Sequence, residues 1–138
     1  MKSLFVIVAA VVIPFAAGAA LRGDGRENAG HPSFVGVWRG EIRDSVAGRG
    51  RLTLVVAQGK AGFSGTWLAE FSGGGPGNRG SLVGRLTGEV FSALLLPSEP
   101  GDCPFEATGK LSANRAVGSY SARDCPTEIE GTFALIRQ

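Results

Sequence analysis

The chain has 138 residues, enough for one domain and too few for two of ordinary size. Its 14 basic and 12 acidic side chains leave a formal charge of +2, too small a bias to argue for nucleic acid or another polyanionic partner. Glycine is the outlier at 22 residues, more than twice its usual share of about 7 %.

The first segment, residues 1–20, reads as a signal peptide. Lys2 gives a positive start, Leu4 to Ala17 is an apolar run broken only by Pro14, and Ala17-Gly18-Ala19 offers the small side chains of a cleavage site. An uncleaved anchor is the alternative, because Ser3 to Leu21 is nearly long enough to cross a bilayer. Pro14 and the small residues favour cleavage, so the expectation is an exported protein, periplasmic or extracellular, with no membrane attachment afterwards. Residues 21–33 carry Gly, Arg, Asp, Glu and Asn with almost no large apolar side chain, which predicts a flexible N-terminal arm. The only histidine, His31, falls in that arm.

From Phe34 a single phrase recurs, apolar-x-Gly-x-aromatic. It occurs as Phe34-Val35-Gly36-Val37-Trp38 and Phe63-Ser64-Gly65-Thr66-Trp67, and more loosely as Ala116-Val117-Gly118-Ser119-Tyr120 and Ile129-Glu130-Gly131-Thr132-Phe133. Each large residue lies two positions from its glycine, so all three share one face of a strand, which helical spacing would not allow. Extending this period predicts eight strands, at 34–43, 51–57, 62–71, 80–87, 89–96, 104–111, 115–122 and 129–137. The connectors are short and rich in Gly, Pro, Ser and Asp, which favours consecutive antiparallel pairing. The expected fold is therefore all-β, an eight-stranded antiparallel up-and-down barrel over 34–138, with a two-layer sandwich as the alternative.

The expected inner set is Phe34, Trp38, Ile42, Leu52, Leu54, Val56, Phe63, Trp67, Phe71, Leu82, Leu86, Phe91, Leu95, Phe105, Leu111, Tyr120, Ile129, Phe133 and Leu135. Small residues alternate with them, as a tapering interior requires. The only two cysteines, Cys103 and Cys125, suggest a disulfide in an exported chain. Midway between them, Ser112-Ala113-Asn114-Arg115 reads as a tight turn with Asn114 accepting a positive φ. A hairpin there sets Leu111 opposite Ala116 and Ala107 opposite Tyr120, with the cysteines one residue out of register at its open end.

Gly36-x-Trp38, Leu52-Thr53-Leu54 and Gly65-Thr66-Trp67 together resemble the opening of the lipocalin and avidin type of small secreted β-barrel. The resemblance covers residues 34–67 and implies a closed barrel with a ligand mouth. Biotin binding does not carry over, because Arg39 follows Trp38 and no matching set of polar residues faces inward. The arm at 21–33 also invites comparison with small periplasmic barrels that inhibit proteases through an N-terminal arm.

Enzymatic chemistry finds little support. The stretch Gly73 to Ser81 lacks the Lys and the following helix of a phosphate loop. Arg39, Arg43, Arg49 and Arg51 are interleaved with Glu41 and Asp44 and read as a solvated face. Glu128 with Glu130, and Asp102 with Glu106, sit at strand ends or outward positions rather than across a cleft. No catalytic residue, metal site or cofactor is expected. Trp38, Trp67 and Tyr120 are the candidate ligand-binding residues, lining a mouth for a small apolar or aromatic molecule if the interior is not filled. The leading expectation is a non-enzymatic binding module for such a ligand, or for a protein partner through its loops. The alternative is a protease-inhibitor-like or envelope-interaction protein acting through its arm and its Gly-rich loop.

Overall fold

The computed structural model describes residues 32–73 and 78–138. The expected signal peptide at 1–20, nearly all of the expected arm at 21–33 and the centre of the Gly-rich loop lie outside the described residues. Eight strands follow one another: β1 (Gly36–Asp44), β2 (Gly48–Gln58), β3 (Phe63–Phe71), β4 (Asn78–Thr87), β5 (Val90–Pro97), β6 (Phe105–Leu111), β7 (Arg115–Ala122) and β8 (Glu130–Arg137). Each pairs antiparallel with the next, and β8 returns to β1 through Trp38↔Arg137 to Asp44↔Gly131, closing the barrel. Closure removes every sheet edge, which a sandwich would have left open.

Alternation decides which side chains enter. Of the nineteen expected inner residues, fifteen are buried, and Phe71, Leu86, Leu95 and Ile129 are partly buried against them. Ala69 and Ala116, 2 % and 0 % exposed, belong to the same face and were not in the expected set.

Large rings fit because glycines lie across from them. Phe71↔Gly50, Phe63↔Gly84, Phe91↔Gly109, Phe133↔Gly118 and Tyr120↔Gly131 are direct cross-strand partners. A Cβ on Gly109 would come within 2.6 Å of the Phe91 ring, and one on Gly118 within 2.8 Å of the Phe133 ring. Real Cβ atoms do not approach this closely, so each ring occupies the volume that a side chain would have taken. The same absence of Cβ lets the wall coil tightly enough to close with eight strands.

Two details depart from expectation. β2 begins at Gly48 rather than 51, because Gly48 takes φ +83° and the first turn shrinks to residues 45–47. Asp44 holds that turn, accepting the backbone N–H groups of Val46 and Ala47 at 2.8 Å each. The β6–β7 turn does not place Asn114 at positive φ: among the described non-glycine residues only Asp124 does so, at 53°. That turn is closed instead by Ser112 N–H donating to the Arg115 carbonyl at 2.8 Å. Its register is the expected one, Leu111↔Ala116 and Ala107↔Tyr120. Cys103 and Cys125 form a disulfide beyond the hairpin's open end, with Cα atoms 6.0 Å apart.

Candidate ligand cavity

The two ends of the barrel differ. At one end the chain enters β1 and leaves β8. Phe34 precedes β1 and turns its ring inward, 5.4 Å from the Trp38 ring, 4.8 Å from Phe63 and 4.9 Å from Phe91. Its carbonyl accepts the Trp38 indole N–H at 2.9 Å. Arg137, at the end of β8, lays its guanidinium 4.4 Å over the Trp38 ring and donates to the carbonyls of Ser33, Val35 and Ala113. One cation therefore ties the entering chain, the last strand and the β6–β7 turn together. Phe34 and Trp38 are 3 % and 0 % exposed, so this end is plugged.

Packing is looser toward the other end, where a cavity of about 60 Å³ remains. Its wall is almost wholly apolar, including Leu54, Trp67, Phe91, Phe105 and Phe133, with Phe34 as its floor. Asp44, Phe71, Asn78 and Leu95, all half-buried, lie where strands end on that side. The disulfide braces the same end, joining the β5–β6 and β7–β8 connections. Beside it, Arg123 N–H donates to the Pro104 carbonyl at 2.9 Å and the Arg123 side chain pairs with Glu106 at 2.7 Å.

Two polar side chains meet at this cavity. Tyr120 donates its hydroxyl to Asp44 Oδ2 at 2.5 Å, joining residues 76 positions apart. Burial first, then the hydrogen bond and the Asp44 charge, push the Tyr120 phenol far above its ordinary value of 10.0. Ser45 fixes the neighbouring turn to β8, its N–H donating to the Glu130 carbonyl at 2.8 Å and its hydroxyl accepting the Glu130 N–H at 3.1 Å. This side of the rim is held by hydrogen bonds on three strands.

The three candidate residues are not gathered at one mouth. Trp67 and Tyr120 both line the cavity, linked through Phe105: the Trp67–Phe105 centroids are 6.2 Å apart and the Phe105–Tyr120 centroids 5.7 Å, both edge-to-face. The Trp67 indole N–H donates to the Ser81 carbonyl at 3.1 Å, which fixes the ring. Trp38 belongs to the plug and is absent from the cavity wall. Trp38, Leu54 and Trp67 do share one row of the ladder. Strands in a barrel tilt against its axis, so such a row winds from one end toward the other.

Sequence reasoning missed Asp44 and Arg137. Both continue an inner alternation, Asp44 two positions beyond Ile42 and Arg137 two beyond Leu135, so counting by twos through the strand ends would have found them. Among the described residues the remaining charges stay outside. Arg39, Arg43, Arg49 and Arg51 are exposed, and Arg43 pairs with Glu41 on its own strand at 2.6 Å. Glu106 is engaged by Arg123 on the outer wall.

Comparison with known proteins adds the fold alone. No family model matches the chain, and no curated protein matches it. Among solved structures the chain is similar to a redesigned β-barrel, with a TM-score of 0.59 and 14 % identity over 75 % of this chain and 90 % of that one.

Proposed function

We propose that this protein is an exported, non-enzymatic binding module that takes a small apolar ligand into the cavity at the disulfide-braced end of its barrel. The observation that carries the reading is the cavity itself: about 60 Å³ enclosed by aromatic and aliphatic side chains, with few polar groups, all toward one end. At roughly 10–15 Å³ per water centre this is room for about four or five waters. An apolar space of that size favours a compact hydrocarbon group over a fatty acid or a large dye, which would have to displace packed rings. The leader at 1–20 and the disulfide support export, since such bonds persist outside the reducing cytosol.

The test is titration with small apolar molecules of graded size while following tryptophan emission. Saturable quenching or shift by molecules of about five or six heavy atoms, fading as the ligand grows, is the expected result. A flat response across the whole series would remove the proposal.

Partner capture by the arm and the Gly-rich loop is the second reading, and the described residues show only where the two segments join the barrel. Ser33 leaves the arm at the plugged end, held by Arg137, whereas Gly73 and Asn78 flank the loop at the cavity end.

A further inference from the structure

The rim at the cavity end is not held equally all round. On one side Tyr120 donates to Asp44, and Ser45 ties the first turn to β8. On another the disulfide joins the β5–β6 and β7–β8 connections. Leu95, on β5, is flanked in the ladder by Leu82 and Phe105, both buried. What remains is the stretch where β2 and β4 begin and β3 ends, and among the described residues the one large apolar side chain there is Phe71.

Phe71 is the last residue of β3, and little fixes its ring. Its ladder partner on β2 is Gly50; among the described residues it has none on β4, where pairing stops at Ala69↔Asn78. The ring takes up space that Gly50 leaves bare, since a Cβ on Gly50 would stand 2.8 Å from Phe71 Cδ1. Every other described aromatic ring packs against a second ring, and Phe71 does not. It is half-buried, and it lines both the cavity and a solvent-open groove shared with Glu41, Arg49, Arg51 and Ser72. A ring with a glycine across from it and solvent beside it can change rotamer without displacing a packed neighbour.

We infer that Phe71 is the ring a ligand must pass to enter and leave the cavity, so that its turning controls access. This inference rests on the binding function proposed above and adds a route to it. The plugged end offers no second route, because Phe34, Trp38 and Arg137 close it. The consequence is kinetic. A residue that only touches the bound ligand changes how fast the ligand leaves, whereas a ring standing in the way also slows its arrival.

The experiment titrates the isotopically labelled protein with benzene and follows the indole N–H resonance of Trp67, whose line shape gives the association and dissociation rates. Trp38, outside the cavity wall, is the internal reference. In Phe71→Ala the association rate should rise by about tenfold or more, and in Phe71→Leu, which stays apolar but lacks the flat ring, by about threefold or more. Leu95→Ala shortens a wall residue on the braced side and should leave association within about twofold of its original value.

An association rate unchanged in both Phe71 variants, or raised as much by Leu95→Ala, would overturn the route while binding in the cavity stands. If benzene moves Trp67 in neither the original protein nor any variant, the binding reading is lost as well. Should Phe71→Ala fail to give a folded spectrum, Phe71→Leu decides alone, and an unchanged association rate there overturns the inference.

Discussion

Phe34 lies outside the ladder yet forms the floor of the cavity, which makes Phe34→Ala a direct probe of the plugged end. Its ring is 3 % exposed and touches three other rings. Truncation deletes about 100 Å³ of side chain, and at about 24 cal/mol per Å³ of unfilled space this costs about 2.4 kcal/mol. The lost transfer free energy of the buried ring adds about 2 kcal/mol. Collapse would recover little, because the vacated space joins an existing void of about 60 Å³ in a closed wall. The expected loss is therefore about 4 kcal/mol, a fall in Tm of about 15–25 °C for a domain of this size. Urea unfolding followed by circular dichroism measures it, and Trp38 emission should shift to the red in the folded variant as water reaches the indole. A loss under about 1 kcal/mol with unchanged emission would show that Phe34 does not seal the barrel.

Four further outcomes are expected. Replacing both cysteines by serine opens a loop of 22 residues and should lower stability by roughly 3 kcal/mol, read as a reduced urea midpoint in non-reducing buffer. Arg137→Ala removes three carbonyl contacts and the ring stack and should cost about 2–3 kcal/mol, with Arg137→Lys recovering only part because an ammonium cannot fork. Gly118→Ala drives a methyl to within 2.8 Å of the Phe133 ring and closer still to backbone; a loss of about 3 kcal/mol or more in thermal unfolding is expected, where a tolerant site would lose none. Tyr120 is the chain's single tyrosine, and its phenol is held well above the ordinary value in the folded state. Its contribution is thus complete below about pH 10 and declines above it, by up to about 1.4 kcal/mol per pH unit. Absorbance of the phenolate should be missing at pH 11 while the protein stays folded and appear on unfolding, and a normal transition near pH 10 would refute the buried bond to Asp44.

The barrel was legible in the sequence because two signals agree at every strand. Alternation fixes the face, and short Gly-rich connectors fix the order, so a one-residue slip anywhere would turn rings such as Phe91 or Phe133 outward. The β6–β7 hairpin was readable for the same reason: cysteine spacing and turn position demand one register. The means of turning was misread, because Asn114 permits a positive φ without requiring one, and the Ser112–Arg115 bond closes the turn without it. Gly48 and its three-residue turn were hidden by the polar run from Arg43 to Arg51, where charge masks the ladder. Which residues meet around the cavity was readable only in part: Trp67 and Tyr120 line it, whereas Trp38 does not. That depends on tilt and stagger, which carry no local mark in the chain, so Trp38 and Trp67 look equivalent and face different surroundings. Asp44 escaped notice because a charged residue at a strand end is normally a solvated one.

Arg137 gathers the chain's way in and its way out onto the plugged end, where Gln138 N–H also donates to the Val37 carbonyl at 2.9 Å. Anything joined after Gln138 consequently projects from the plugged pole, opposite the disulfide-braced rim. A surface tether or reporter domain attached there would leave the opposite rim facing solution, with the whole barrel as a rigid spacer between the two.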